Sequence, residues 1–122
     1  MSYLPSKISP LVEAEQEPWR KALMDAADKI RTHGWFQMGC GGVNDGPESI
    51  CAAIAINDVV LGYGEDVIIR QRIRTAFIEH MGFRGWTDIM KWNDVPGRTK
   101  AEVIAALEDA ALSRASAALV RV

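Results

Sequence analysis

The sequence predicts an all-α fold: a compact bundle of four to five helices around a buried central helix, with little or no strand. Three observations predict it. Apolar residues recur at helical spacing, as in Val103, Ile104, Leu107, Ala111 and Ala115. Helix start and stop signals bracket these stretches: Pro18 and Gly34, Asp66 and Gly82, and Thr99 with Glu102. No run shows the clean apolar–polar alternation of a half-buried strand. The chain has 122 residues, the size of one domain, and is 48% hydrophobic. A chain of this size buries roughly two-thirds of its unfolded surface, so neither a metal nor a disulfide is needed to hold it.

The organisation is an extended N-terminal arm over 1–13 and a single helical domain over 14–122. The arm carries Pro5 and Pro10 and no helical period. Pro18 suits the first turn of the first helix, with Glu15 and Glu17 near its positive end. Leu23, Ala26, Ala27 and Ile30 form its inner face, with Trp19 a turn earlier. Gly34 ends it after Lys29, Arg31 and His33, where cations suit the helix dipole.

Residues 35–42 read as a brief extended segment leading into a glycine-rich loop that continues through Asn44-Asp45-Gly46. No Lys-Ser/Thr pair follows these glycines, so they are not a phosphate loop. A second helix is expected to start at Pro47 and run from Glu48 to about Asn57. Ile50 to Ile56 is apolar all round, so this helix is expected to be the central one. A third runs from Glu65-Asp66 to about Met81, with Ile69, Ile73, Ala76, Phe77 and His80 on one face. A fourth, short helix spans Trp86 to Lys91. The last runs over 100–118. Thr99 and Glu102 stand at capping-box spacing before it, behind the turn dipeptide Pro96-Gly97.

The densest stretch is Trp92-Asn93-Asp94-Val95-Pro96-Gly97-Arg98-Thr99. Two readings of it compete. In the structural one, Trp92 is buried under the last helix, Asp94 accepts backbone amides around Pro96-Gly97, and Arg98 pairs with Asp94 or a nearby carboxylate. In the functional one, Asn93, Asp94 and Arg98 face a ligand or partner. This string resembles the C-terminal signature of the domain of unknown function 6197 family, small actinobacterial and actinophage proteins. Gly34-Trp35-Phe36-Gln37 and Cys51-Ala52-Ala53-Ile54-Ala55 resemble the same family, with Ile54 standing where the family carries Gly. The resemblance covers the first helix to the last. It implies a fold and an actinobacterial or phage origin, and it implies no activity.

Several chemistries are excluded or weakened. His33 and His80 are the only histidines and no Cys-x-x-Cys pair exists, so no metal site is expected. No cofactor motif is present. Cys51, His80 and Asn93 or Asp94 fall in the chain order of papain-like enzymes, with Gln37 ahead of them as an oxyanion donor. Cys51 in an apolar helix is expected to be an inert thiol, so no catalytic residue is assigned. Net charge is −2, and Arg70, Arg72 and Arg74 are the only basic cluster, a weak footprint for nucleic acid. No stretch approaches a membrane span, and Cys40 and Cys51 without a secretory signal imply a cytoplasmic protein.

What is left is a binding module. Trp35, Trp86 and Trp92 each stand beside a turn, with Gln37, Arg84, Asn93 and Arg98 near them, and aromatics with Arg are hot-spot residue types. The expected role is a small accessory protein that binds a protein partner, with Trp35, Gln37, Trp92, Asn93, Asp94 and Arg98 as the binding residues. The alternative is a small enzyme or ligand-binding domain using a cleft between Trp35–Gln37 and Trp92–Arg98. The sequence leaves open whether the chain is a monomer or a homodimer.

Overall fold

The computed structural model describes residues 17–39 and 41–113. Five helices lie within them: α1 (Pro18–His33), α2 (Ala52–Leu61), α3 (Val67–Met81), α4 (Thr87–Asn93) and α5 (Lys100–Leu112). Among the described residues there is no strand. Extended pairing is limited to two isolated bridges, Trp35 with Ile50 and Phe36 with Asn44. The chain is the all-α bundle that the helical spacing predicts. The arm over 1–13, Cys40 and the end of the expected last helix, including Ala115, lie outside the described residues.

The central helix is α1. It packs against α2, α3 and α5. Trp19, Ala22, Leu23, Ala26, Ala27 and Ile30 repeat at helical spacing and are all buried along it. The expectation that α2 is central is corrected. Ile54 and Leu61 of α2 are 47% and 65% exposed, and α5 rests on α1 and α3 instead. Residues 50–56 are apolar on every side, but α2 is too short to be wrapped. Its small buried residues, Ala52, Ala53 and Ala55, fix it by close approach on one side. Ile54 points outward, so no neighbour's backbone is obstructed there.

The start of α2 is also corrected. Pro47 and Glu48 form a turn, and Ile50 pairs with the extended segment: its amide donates to Gly34 O at 3.0 Å and its carbonyl accepts from Phe36 N at 3.0 Å. A helix beginning at Pro47 would have to give up both bonds. Cys51, extended at φ −87°, ψ 172°, is therefore the N-cap residue, and its own side chain caps nothing. Val59, Val60 and Leu61 continue α2 up to Gly62.

The other boundaries follow local chemistry. Asp66 caps α3 by accepting from Ile69 N at 3.1 Å. Gly82 ends it in the left-handed region at φ +73°, open to glycine without strain. The buried face of α3 is Ile73, Ala76 and Phe77, while Ile69 and His80 sit half-buried at its margin. Helix α5 starts with the full capping box: Glu102 N donates to Thr99 Oγ1 at 3.1 Å, and Thr99 N donates to Glu102 Oε1 at 3.0 Å. Its buried face is Val103, Leu107, Ala110 and Ala111.

At its other end α5 is held by α1. Arg20, 6% exposed, donates Nη1–H to Ala111 O at 2.7 Å and Nε–H to the Glu17 carboxylate at 2.5 Å. Ala111 O is one of the last-turn carbonyls that the helix cannot satisfy itself. Thr99→Ala removes one side of the capping box and is expected to lower stability by about 1 kcal/mol in urea unfolding, with the helical bundle retained.

Candidate functional site

The six residues expected to bind a partner are brought together in one place, and the path there begins at Gly34. This glycine closes α1 at φ +98°, and a Cβ on it would lie 2.6 Å from Asp45 Cβ. Only glycine allows the loop over 43–46 to lie that close. The Asp45 carboxylate then accepts the Trp35 amide at 2.9 Å and meets Lys100 Nζ at 3.4 Å. These contacts, the amide first and the ammonium second, hold the Asp45 carboxyl below its ordinary range. Gln37 N donates to Val43 O at 2.7 Å. Gly42 is needed beside it, since a Cβ there would sit 2.4 Å from Gln37 O.

The side chain at the middle of the site is Asn93, the last residue of α4, with no solvent exposure. Its Oδ1 accepts two buried donors, Trp35 Nε1–H at 2.7 Å and Ala52 N–H at 3.0 Å. Its Nδ2 donates to Phe36 O and to Asp94 Oδ1, each at 3.0 Å. The orientation of the amide is settled by this surrounding: turning it over would set the NH2 against two donors and the oxygen against two acceptors. Asn93 is thus the cap that Cys51 does not provide. It satisfies the first amide of α2 and at the same time seats the Trp35 indole, itself fully buried.

The neighbouring motif residues are equally engaged. Gln37, 6% exposed, donates Nε2–H to Asn93 O at 3.1 Å and to Val95 O at 2.8 Å. Asp94 Oδ1 accepts from Met38 N at 3.1 Å, so the expectation that Asp94 ties down amides around Pro96-Gly97 is corrected. The turn faces the segment after Gln37, and it is the Met38 amide there that takes the carboxylate. Arg98 donates Nε–H to Trp92 O at 3.0 Å, lies 4.6 Å over the Trp92 ring and pairs with Glu102 at 3.7 Å. Trp92 is half-buried. It meets Phe77 at 6.1 Å and 71°, with Phe83 at 6.3 Å completing the aromatic cluster. Its ring is therefore held against α3 and Arg98, not buried beneath α5.

Between the two strings lies a groove of about 250 Å³, lined by Gln37, Met38, Gly39, Gly42, Asp94 and Gly97 among others. Met38, 64% exposed, and Pro96 are part of its wall, and Val95, next to Pro96 in the chain, is 43% exposed. The papain-like order of residues is not assembled into a triad. Cys51 is a helix cap position, no hydrogen bond joins it to His80 among the described residues, and the Asn93 amide is fully committed elsewhere. No group of three or more His, Cys, Asp or Glu among the described residues is placed to hold a metal.

Sequence reasoning picked Asn93 but gave its side chain to a partner, and it missed Arg20; Asp45, expected with Gly46 as the cap of a helix starting at Pro47, accepts the Trp35 amide instead. No local signal pointed to the role of Asn93, because Cys51 becomes a helix N-cap in need of a borrowed acceptor only once α2 is known to start at Ala52. Asn93→Ala leaves the Trp35 and Ala52 donors without an acceptor in the interior and is expected to cost about 3 kcal/mol or more in urea unfolding. Asn93→Asp, with nearly the same shape, is expected to be no milder at neutral pH. It turns a donor into an anion facing Phe36 O and the Asp94 carboxylate. Asp45 gives a pH signature. Its folded-state pKa is depressed, so its contribution is complete above the ordinary carboxylate range, about pH 4, and is lost as pH falls through the folded value. The stability advantage of the native chain over Asp45→Asn is therefore expected to be constant near neutrality and to shrink on acidification below about pH 4, as read from thermal unfolding across pH.

The family model for the Family of unknown function (DUF6197) matches residues 14–113. Comparison with curated proteins and with solved structures finds no match. The family model spans α1 through the end of α5 and includes every residue of the Trp35, Asn93 and Arg98 cluster, so the chain belongs to DUF6197.

Proposed function

We propose that this chain is a small accessory protein that binds a protein partner in the cytoplasm of an actinobacterial host, encoded by the host or its phage. The groove beside the Trp92–Thr99 turn is the docking site. One observation carries the reading. The polar side chains of the motif are engaged internally, and what the cluster offers outward is Met38 and Pro96 on a glycine-lined depression, with the exposed Val95 beside them. A rigid turn with these apolar side chains and the Asp94 carboxylate at its side suits an extended peptide segment carrying an apolar residue and a basic one. Such a surface loses little entropy on binding because its own bonds already fix it.

Size separates this reading from the ligand-binding or enzymatic alternative. Pockets that enclose small molecules run to about 300–1,000 Å³. The groove, at about 250 Å³ and open along the turn, falls below that range. The same cluster offers no nucleophile–base pair.

The test uses surface variants that leave the internal bonds intact. Immobilised native chain, Met38→Glu/Val95→Glu and Ile68→Glu are each incubated with an actinobacterial lysate, and the retained proteins are compared by mass spectrometry. A protein held by the native chain and by Ile68→Glu but lost from the double variant is the expected result. Retention of the same proteins by all three, or of none by any, counts against the groove as a docking site.

A further inference from the structure

The three arginines of α3 divide between two faces. Arg72 pairs with Glu79 at 3.4 Å and lies 5.1 Å over the Trp19 ring. Arg70 and Arg74, one helical turn apart, line a separate cleft of about 390 Å³ with Val67, Gln71, Ile78 and Trp86. That volume lies within the usual range for small-molecule sites, about 300–1,000 Å³. The cleft shares no residue with the groove at the Trp92–Thr99 turn.

These two arginines share one cleft, and neither has a carboxylate partner; Arg84, the other arginine without an ion pair among the described residues, lies outside the cleft. Arg20, Arg31, Arg72 and Arg98 each pair with an acidic side chain. Among the described residues Arg70 and Arg74 have no ion pair. Arg70 donates Nη1–H to Gly64 O at 3.0 Å, and its buried Nε meets no acceptor among the described residues. Arg74 donates Nη2–H to Asn57 Oδ1 at 3.2 Å and lies 5.7 Å from the centroid of the Trp86 ring. In a chain of net charge −2, two like charges at i, i+4 are held together with neutral acceptors only. A buried donor without an acceptor is uncommon in a folded protein and marks a place where a group from outside can complete the bonding.

We propose that this cleft binds a small organic anion: one carboxylate or phosphate group on an aromatic or apolar body. The anion sits between the two guanidinium groups, whose planar forks match both oxyanions. Arg70 has Nη2 left for the ligand, since Nη1 is already taken by Gly64 and Nε is buried. The body of the ligand lies against Trp86, Ile78 and Val67. Trp86 then has a role that packing alone does not give it, as a wall carrying both Arg74 and the ligand ring.

The test is an NMR titration of the full chain, following the Trp86 indole N–H, assigned with Trp86→Phe. The probes are phenyl phosphate, benzoate, benzamide and inorganic phosphate. The expected result is saturable shifts at Trp86 with phenyl phosphate or benzoate, at least about tenfold tighter than with the neutral benzamide or the ring-free phosphate. Whichever of the two aromatic anions binds more tightly names the head group. Arg74→Gln, checked for an unchanged melting temperature, is expected to weaken binding about tenfold, whereas Arg84→Gln, outside the cleft, leaves it unchanged. Equal binding of benzoate and benzamide, shifts at Trp35 or Trp92 in place of Trp86, or no saturation with either aromatic anion overturns the proposal. The comparison of charged with neutral probes on the native chain needs no variant to fold. The outcome is independent of partner capture by the groove, so either reading can fail alone.

Discussion

The structure depends on one primary amide. A helix that begins inside a protein brings free N–H groups with it, and they need acceptors. Helix α2 begins beside Trp35 with Cys51 at the position where Ser, Thr, Asp or Asn would serve. Asn93 supplies the acceptor from 41 residues away in sequence, and the same oxygen takes the indole N–H of Trp35 from 58 away. A primary amide has two donor hydrogens and an oxygen that accepts twice, and all four are matched here. This makes the start of α2, the 35–37 segment and the end of α4 a single unit. Helix α2 has only ten residues, fewer than the roughly 12–15 at which an isolated helix begins to hold in water. It exists because the interior completes its first turn.

The opposite end of the bundle solves the mirror problem by the same means. Helix α5 ends with carbonyls that lack amides, and Arg20 reaches from α1 to Ala111 O. A cation is suited to a helix C-terminus as an acceptor is to an N-terminus. Glu17 balances the buried guanidinium, and the Trp19 ring 4.5 Å away covers its face. Two helix ends are thus completed by long-range side chains, while local caps such as Thr99 and Asp66 are left for ends nearer the surface. Small residues along α1, α2 and α5 allow backbones to approach closely enough for such reaches, with Ala22, Ala26, Ala52 and Ala110 all wholly buried.

This division explains what could be read in the chain. Thr99 with Glu102, Asp66 before Ile69, Pro18 at a first turn and Gly34 at an end are local devices, and local devices are visible in a string of residues. The start of α2 was not visible. Pro47 is a credible first helical residue, and nothing within a few positions says that Ile50 is held in an extended pairing with Gly34 and Phe36. The centre of the bundle was misplaced for a related reason. Apolar content on every side of a helix reads as full burial, but a short helix packed through alanines can leave Ile54 and Leu61 in solvent. The cluster itself was legible as a set of residues, since Trp35, Gln37, Trp92, Asn93, Asp94 and Arg98 do meet, but its direction was not. Polar residue types are the same whether they face inward or outward, and only the three-dimensional neighbours of Asn93 decide which.

The same question of direction separates the two surfaces of the molecule. A hydrogen-bonding side chain can recognise something outside only with capacity its own fold leaves free. At the Trp92–Thr99 turn that capacity is nearly exhausted, and what is left facing outward is Met38, Val95 and part of the Asp94 carboxylate. On α3 the position is reversed. Among the described residues the hydrogen-bond acceptors of Arg70 and Arg74 are the neutral oxygens of Gly64 and Asn57, neither of which cancels a charge, and Arg70 Nε has none. A protein that needed these arginines only for solubility would leave them in open water, where every donor is satisfied at no cost. Here the two line one tryptophan-walled cleft at i, i+4, where like charges repel modestly, and an anion set between them would offset that repulsion.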